Sequence, residues 1–348
     1  MKIFTTKAKW LLSFAITALL VTGIYSGCQN NDSASNPNQA HQTLNHGGLW
    51  SEADLSGAIA VQNRHTDELL AIDGVIGTGA GLHQDGTPAV YVFTNRPNVA
   101  GIPAALEGIH TRIENVGAVN AFAFTGTYRS PMYSGVSVGN DNECAAGTIS
   151  CVVADPNNNL FLLSNNHVFA RENAGKIGEK IDQQGRYDAI PQCGPSGQVG
   201  SLSRFVTISF RRNANNVVDC AIASIVGAPG ATSQTPPGNQ YTPTAATIAS
   251  SVGMHVQKTG RTTGFTQAQV NAINVTLLVN YGEGRIARFI NQIYIQGNFS
   301  AAGDSGSLIV EIGSNNPTAL LFAGGTGSTF ANPIGSVLSA LGVSIVPN

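Results

Sequence analysis

Short apolar runs, separated by clusters of glycine, asparagine and proline, dominate the chain from about residue 135 onwards. The runs are rich in valine, isoleucine, leucine and threonine, which fit the half-buried surface of a strand. A stretch rich in proline, glycine and threonine, residues 227–247, divides them into two groups. Short strands repeated between turn signals are typical of sandwiches and barrels. We therefore predict a mainly β protein, a sandwich or barrels, with this stretch between its two parts.

The pattern before residue 131 mixes helical and strand periods. Residues 51–72 carry a loose apolar stripe behind Ser51, a residue type that caps helices, so we predict a helix there. The other elements predicted in this part are strands at 74–83, 88–94 and 109–116 and a short helix at 102–109. This string predicts a small α+β domain over residues 51–130, with a role as a pro-segment or folding aid as one hypothesis. At the far end of the chain, Asn332 and Pro333 predict the cap and first turn of a last helix.

The first residues have the pattern of a targeting signal. Three lysines precede an apolar stretch at 10–25, which is short for a membrane-spanning helix. The small residues before Cys28 resemble a bacterial lipobox, so we expect a lipoprotein-type signal peptide at 1–27 and a lipid on Cys28 that anchors the exported chain at the cell envelope. Ordinary cleavage to a secreted or periplasmic chain and a retained anchor helix are the alternatives. Residues 28–50, rich in Asn, Gln and Ser, predict a flexible tether.

Charged residues make up only 11% of the chain, with 18 Lys and Arg against 20 Asp and Glu. The formal net charge of −2 provides no basic surface for a polyanion, so nucleic acid is not an expected partner. So low a charge content also argues against disorder driven by charge repulsion. The composition therefore favours a folded, turn-rich protein.

The chain has five cysteines, of which four remain if Cys28 carries lipid. An even number in an exported chain favours two disulfides. Cys144 and Cys151 are close enough for a local staple, which leaves Cys193 to pair with Cys220, although sequence alone leaves three pairings open. A zinc site is the alternative interpretation, but the spacings do not form a knuckle and no histidine cluster accompanies them.

The string Gly303-Asp304-Ser305-Gly306-Ser307 is the sharpest chemical signal. A serine between glycines lets the backbone turn tightly and direct its amides inward. The amides of Gly303 and Ser305 would then form an oxyanion hole beside Ser305 Oγ. The alternative is an ordinary Gly-Ser turn, because short motifs also occur by chance in a glycine-rich chain.

A nucleophilic serine needs a base, and His167 is the candidate because it stands where an apolar run gives way to polar residues. His255 is the rival, although it lies inside a predicted strand. Asp219 interrupts another apolar run, so its burial requires hydrogen bonds of the kind that an imidazole N–H supplies. Asp182 and Asp188 lie in polar loops and are poorer candidates for this role.

The order His167, Asp219, Ser305 matches the triad order of the chymotrypsin fold. The strings that carry the resemblance are Asn165-Asn166-His167-Val168, Val218-Asp219-Cys220-Ala221 and Gly303-Asp304-Ser305-Gly306-Ser307. From about residue 131 to 348 the chain resembles a bacterial trypsin-like, chymotrypsin-fold serine protease. It is also similar to bacterial trypsin-like proteins that carry Gly260-Arg261-Thr262-Thr263-Gly264 after a lysine.

The resemblance implies two six-stranded barrels, at about residues 135–230 and 250–348, that meet at a cleft. His167 and Asp219 would lie on the first barrel and Ser305 on the second. It implies hydrolysis of a peptide or protein substrate through an acyl-enzyme, without metal or cofactor. Asp304 has no freshly cut N-terminus to pair with, so an animal-type zymogen switch is not expected. A binding or scaffold lipoprotein with little activity, or an esterase with the same triad, are the alternative functions.

Specificity is expected to differ from that of trypsin. The family's specificity acid lies six residues before the nucleophile, and Phe299 stands at that place. Without a carboxylate there, we expect a small or apolar P1 side chain rather than Arg or Lys. The residues expected to line the pocket are Phe299, Ser300, Ala301, Phe322, Ala323 and Gly324.

Overall fold

The computed structural model describes residues 48–117, 120–121, 132–226, 230–237 and 241–347. The predicted signal peptide, the lipidation site at Cys28 and most of the predicted tether lie outside the described residues. Within the described part of the chain, no helix combines the length and the apolar character needed to cross a membrane.

Strands account for 41% of the residues and helices for 11%, which confirms the predicted mainly β class. The strands form two curled sheets that resemble the predicted double β-barrel. The elements before residue 122 are α1 (Ser56–Leu70), β1 (Val75–Leu82), β2 (Pro88–Thr94), β3 (Ala105–Leu106), β4 (Ile109–Asn115) and β5 (Asn120–Ala121).

The first barrel is an eight-stranded sheet with the order β19-β8-β9-β12-β11-β10-β6-β7. Its elements in the middle of the chain are β6 (Ser137–Asn140), β7 (Gly147–Thr148), β8 (Val152–Ala154), β9 (Leu160–Ser164), α2 (Asn166–Phe169), β10 (Lys180–Gln183), β11 (Gly197–Phe205) and β12 (Ala221–Ile225). A single 3₁₀ turn, Arg186–Asp188, follows β10. The strand ends of this barrel hold the first two residues of the predicted site.

The second barrel closes because β13 pairs with both β14 and β16. Six strands thus form a ring in the order β13-β16-β17-β18-β15-β14. The elements of this part are β13 (His255–Gly260), β14 (Gly264–Asn280), β15 (Ile286–Gln296), β16 (Leu308–Glu311), β17 (Pro317–Gly325), β18 (Ser328–Pro333), α3 (Ile334–Leu341) and β19 (Ser344–Ile345). After the ring, α3 and β19 return the chain to the first sheet.

The N-terminal strands extend the sheet of the second barrel. Strand β1 pairs antiparallel with β14, with Gly77 opposite Leu277, and the combined sheet has eleven strands. The two strands meet closely at Gly77, where an added Cβ would lie 2.7 Å from the carbonyl oxygen of Thr276. Residues 51–130 as a separate domain or pro-segment stay a prediction.

Two predictions in the N-terminal part differ from the structure. Helix α1 begins at Ser56, not Ser51, because Ser51 Oγ donates to Asp54 Oδ2 at 2.7 Å in a turn that precedes the helix. The predicted helix at 102–109 is wrong, since these residues form the β3–β4 hairpin. Its turn places Glu107 and Gly108 at φ values of 48° and 84°, which a right-handed helix does not contain.

The predicted disulfide pairing is wrong. Cys144 is bonded to Cys193, with their Cα atoms 5.1 Å apart, and Cys151 and Cys220 are buried free thiols. Cys151 precedes β8 and Cys220 precedes β12, strands that pair with opposite sides of β9. Two strand spacings are about 10 Å, beyond the reach of a disulfide. Both thiols are 0% exposed in the core, whereas Cys144 is exposed and Cys193 partly buried, outside the strands.

The predicted last helix is present as α3, but it begins at Ile334, one residue after the predicted Pro333, and Asn332 is not its cap. Asn332 Oδ1 accepts a hydrogen bond from the Asp219 amide at 3.0 Å, and its Nδ2 donates to Gln292 Oε1 at 2.5 Å. A residue of the second barrel thus fixes the backbone at Asp219.

Candidate active site

His167 and Asp219 lie together at the end of the first barrel. His167 is in α2, directly after β9, and Asp219 directly precedes β12, which pairs with β9. His167 Nδ1 is 2.7 Å from Asp219 Oδ2, and the His167 backbone amide donates to Asp219 Oδ1 at 3.2 Å. Asp219 is 0% exposed, so the requirement for hydrogen bonds read from its apolar run is met by the imidazole.

The backbone around this pair is fixed by asparagine side chains. Asn165 Nδ2 donates to the carbonyl oxygen of Asp219 at 2.7 Å, so the residue two before His167 is tied to its partner. Asn166 Nδ2 donates to Asn173 Oδ1 at 2.8 Å and to the Val206 carbonyl at 2.7 Å. The two asparagines before the histidine therefore hold α2 against its surroundings.

The His167 imidazole is a stronger base than an ordinary histidine. Burial alone lowers its pKa, but the negative charge and the hydrogen bond of Asp219 together raise the pKa by more. Glu172 and Glu143 add smaller contributions of the same sign. The net effect is a His167 pKa above its usual value.

Ser305 lies in a turn that only glycines allow. Gly303 and Gly306 have φ values of 95° and 97°, in the left-handed region. A Cβ on Gly306 would lie 2.1 Å from the Thr148 carbonyl oxygen and 2.3 Å from Ser164 Oγ. The turn is thus pressed against the end of β9, the strand that leads to His167.

Another close contact joins the serine turn to α2. A Cβ built on Gly147 would lie 2.5 Å from Val168 Cγ2 and 3.0 Å from the Ser305 carbonyl oxygen. The Thr148 amide donates to that same oxygen at 2.8 Å. The backbone of β7 therefore contacts both α2, which carries His167, and the turn that carries Ser305.

Ser305 and His167 are not hydrogen-bonded to each other. Ser305 Oγ donates to the Phe322 carbonyl oxygen over 3.4 Å, a long hydrogen bond. His167 Nε2 is buried and has no partner among the described residues. The serine is 0% exposed and the histidine side chain 4% exposed. The structure thus shows a closed site with a free imidazole nitrogen.

The predicted oxyanion hole has two unpaired amides. Within the described residues, the amides of Gly303 and Ser305 donate no hydrogen bond, whereas the neighbouring Asp304 and Gly306 amides donate to the carbonyls of Ala301 and Leu321. Unpaired backbone donors beside a serine are the groups that stabilise an oxyanion.

Asp304 supports the turn from beneath. Its Oδ1 accepts the amides of Thr262 and Thr263 at 2.9 and 3.1 Å, and Lys258 pairs with its Oδ2. Arg261 is paired with Asp188, and both side chains are almost completely buried. Asp188, a poor candidate for the triad on sequence, is a structural anion here.

The predicted pocket residues differ in their surroundings. Phe299 and Phe322 are buried in hydrophobic clusters, and the Phe322 ring packs on Phe289 with centroids 4.7 Å apart. Ser300 and Ala301 are only partly buried, and Ser300 Oγ is 2.6 Å from Thr329 Oγ1. The assignment of these residues to a P1 pocket stays a prediction.

A strand lies along the edge of β17 next to the serine. The backbone of β5 pairs antiparallel with β17, with Asn120 opposite Gly324 and Ala121 opposite Ala323. The next residue of β17 in this direction is Phe322, whose carbonyl accepts Ser305 Oγ. The edge predicted to border the pocket is thus occupied by an extended segment of this chain.

Sequence reasoning missed three residues that shape the site, namely Lys258, Tyr281 and Asn332. Lys258 lies in β13 among other polar side chains, so no apolar run in the sequence marks it as buried. Tyr281 and Asn332 stand at strand ends, where polar residues are common and give no signal. His255, the rival base, is exposed at the start of β13. Within the described ranges, no three His, Cys, Asp or Glu side chains are grouped to hold a metal ion.

Several solved structures are similar to this chain. A glutamic acid specific serine protease has a TM-score of 0.44 and 18% identity, covering 62% of this chain and 100% of that chain. Thermobifida fusca Protease A has a TM-score of 0.43 and 20% identity, with 62% and 99% covered. Cellulomonas bogoriensis chymotrypsin has a TM-score of 0.42 and 18% identity, with the same coverage. No family model and no curated protein matches the sequence.

Proposed function

We propose that the chain is a serine endopeptidase, with Ser305 as nucleophile, His167 as general base and Asp219 as the carboxylate that orients the base. The observation that carries this proposal is the buried His167–Asp219 pair, 2.7 Å apart, with Nε2 left unpaired beside the serine turn. A base oriented by a third group next to a serine is the arrangement that activates a weak nucleophile.

The first half of the reaction forms an acyl-enzyme. Ser305 Oγ leaves the Phe322 carbonyl, attacks the scissile carbonyl carbon and passes its proton to His167 Nε2. The oxyanion that forms is stabilised by the amides of Gly303 and Ser305. The carbon–nitrogen bond then breaks, and His167 returns the proton to the leaving amine.

The second half restores the enzyme. Water attacks the acyl carbon, and its proton goes to His167 Nε2. The bond to Ser305 Oγ breaks, and the imidazole gives the proton back to that oxygen. Asp219 stays ionised throughout and stabilises the imidazolium.

The edge of β17 favours peptides over simple esters as substrates. The pairing of β5 with Ala323 and Gly324 demonstrates that this edge accepts an extended backbone in antiparallel orientation. Strand addition of this kind gives main-chain affinity, with side-chain pockets adding specificity. An ester without a peptide backbone gains nothing from this edge.

We also propose a preference for small or apolar P1 side chains. Phe299 stands where a specificity acid would lie, and the Lys258 ammonium is 5.8 Å from its ring centroid. A cation beneath this position would repel an arginine or lysine side chain. A cleavage profile of a peptide library measures the preference directly, and dominant cleavage after Arg or Lys would contradict it.

A fluorophosphonate probe tests the proposed nucleophile. The wild-type chain should be labelled on Ser305, and Ser305→Ala should not be labelled. Ser201→Ala, a serine variant on β11 outside the site, should be labelled like the wild type. Equal labelling of Ser305→Ala and wild type would refute the assignment. A ratio of kcat/KM between matched peptide and ester substrates then separates a peptidase from an esterase.

A binding or scaffold protein is the second candidate, because Ser305 is 0% exposed and bonded away from His167. Folded wild-type protein that neither reacts with the probe nor cleaves peptides, yet retains a peptide on an affinity column, would establish this function instead.

We propose that the chain is exported and anchored through a lipid on Cys28, as the lipobox-like signal indicates. Metabolic labelling with radioactive palmitate should mark the wild-type chain and leave Cys28→Ala unlabelled. Release of both proteins into the soluble fraction would contradict the anchor.

A further inference from the structure

Tyr281 brings the second barrel into contact with the His167–Asp219 pair. It follows β14 directly, in the hairpin that leads to β15. Its Oη donates to Asp219 Oδ2 at 2.8 Å. This is the same oxygen that lies 2.7 Å from His167 Nδ1. One carboxylate oxygen therefore receives a hydrogen bond from each barrel.

The tyrosine ring is itself held firmly. It is 6% exposed and packs edge-on against the His167 ring, with centroids 6.1 Å apart and planes at 70°. Phe210 packs on it in a similar way, with centroids 5.4 Å apart. Its amide donates to the Arg285 carbonyl at 2.9 Å. A ring fixed on several sides delivers its hydroxyl to one position.

Each oxygen of Asp219 thus has a defined direction. Oδ1 accepts the His167 amide, and Oδ2 accepts both the imidazole and the phenol. Without the phenol, the carboxylate would lose the donor that comes from outside the first barrel. With one hydrogen bond fewer to stabilise its charge, the carboxylate attracts a proton on the imidazole more strongly.

We propose that Tyr281 is a positioning residue of the triad: it holds Asp219 Oδ2 towards His167 Nδ1 and makes the alignment of the pair depend on the docking of the two barrels. The role in catalysis rests on the proposed function, whereas the effect on His167 does not require that the chain be an enzyme. Tyr281 itself touches neither the serine nor the scissile bond.

Charged and titratable side chains from several elements surround His167. Asp219 and Tyr281 contact it, and Glu172 and Glu143 act on it through their charge. Glu172 is paired with Arg285 at 2.5 Å, and Arg171 is paired with Glu179. Burial and the charge of Asp219 hold the pKa of the Tyr281 phenol well above its usual value, so it remains a donor over the working range.

The experiment uses Tyr281→Phe, which removes only the hydroxyl, with Tyr294→Phe as the matched control. Tyr294 is a buried tyrosine on β15 that packs on Phe93 and Phe330. Histidine NMR titration of the full chain should give a His167 pKa about half a unit to one unit higher in Tyr281→Phe than in wild type. Tyr294→Phe should titrate like the wild type. The His167 resonance is assigned with His167→Asn.

Peptide hydrolysis gives the second measurement. At a pH above both His167 pKa values, Tyr281→Phe should lose about tenfold to a hundredfold in kcat, the scale of one hydrogen bond to a charged group. KM should be unchanged, because the phenol does not contact substrate. The acid limb of the pH profile should shift upwards with the NMR value.

Each outcome is decisive. An unchanged or lower His167 pKa in folded Tyr281→Phe, or an equal shift in Tyr294→Phe, would overturn the positioning role. A higher His167 pKa in Tyr281→Phe than in wild type, found together with a wild-type chain that hydrolyses no peptide, would uphold the inference and refute the proposed function.

Discussion

Lys258 Nζ lies 3.2 Å from Asp304 Oδ2, and neither side chain is exposed to solvent. The ammonium also donates to the Gly264 carbonyl at 3.1 Å. A lysine within the chain thus provides a positive charge next to Asp304 in the serine turn. Arg261, the other nearby cation, is occupied by Asp188.

Lys258→Met should destabilise the chain by about 3–5 kcal/mol, because it leaves the buried Asp304 carboxylate without its cation. Burial lowers the pKa of Lys258 while Asp304 raises it by less, so each ion tolerates burial only through the other. Urea unfolding measures the loss. Labelling by the fluorophosphonate probe should fall together with it, because the turn loses its support.

A double variant and a surface control sharpen this test. Adding Asp304→Asn to Lys258→Met should recover part of the stability, since the amide buries no charge. Arg96→Met, which removes an exposed pair with Asp73, should cost no more than about 1 kcal/mol. A loss in Lys258→Met as small as that in Arg96→Met would show that the buried pair is not needed.

The pH profile of peptide hydrolysis should have an acid limb with its midpoint above 6.5, the ordinary histidine value. The base must be neutral, and the pKa of His167 is raised because Asp219 outweighs burial. The stability contribution has the opposite sign: protonated His167 stabilises the fold below pH 6.5, and this contribution is lost as pH rises through the folded pKa.

Glu172→Gln provides the control for the pH profile. Because Glu172 raises the pKa of His167, its removal should move the acid limb to lower pH by a few tenths of a unit. A wild-type midpoint at or below 6.5, or a shift upwards in Glu172→Gln, would contradict this account of the base.

Removal of the Cys144–Cys193 disulfide should cost about 4 kcal/mol on the loop-entropy scale, since the bond closes a loop with a sequence separation of 49. The paired variant Cys144→Ala and Cys193→Ala tests this by urea unfolding. Peptide mapping should recover the two cysteines in one cross-linked fragment.

The two core thiols, Cys151 and Cys220, should resist alkylation in the folded chain. Burial raises the pKa of Cys151 to about 12 and that of Cys220 well above its usual value. Alkylation of the native chain at pH 8 should therefore spare both, and alkylation in denaturant should modify both. A native fragment that links Cys151 or Cys220 to another cysteine would refute the pairing.

Ala121→Pro should lower KM for peptide substrates several-fold. Proline at position 121 disfavours the pairing of β5 with β17. When β5 leaves this edge of β17 more often, the edge is free for substrate in a larger fraction of the molecules, so the apparent affinity rises. Ala121→Val, which keeps the amide and suits a strand, is the control and should leave KM unchanged. Identical KM values for wild type and Ala121→Pro would show that β5 does not compete with substrate.

The sequence predicted His167 because an apolar run ends just before it, and Asp219 because it interrupts another run and its burial requires a partner; the structure brings the two together. The sequence failed at residues 102–109, where local propensity favoured a helix but two left-handed residues form a hairpin. It also failed with the cysteines, because spacing along the chain does not reveal that Cys151 and Cys220 are buried while Cys144 and Cys193 come together.

By itself, the sequence determined the mainly β class and the glycine-flanked serine turn, since these follow from local periodicity and from conformations that only glycine adopts readily. Only the tertiary structure decided that Lys258 supports Asp304, that Tyr281 completes the surroundings of Asp219 and that Asn332 holds the backbone of Asp219. These contacts join residues of different strands, and their geometry depends on how the closed barrels pack, which no local pattern along the chain contains.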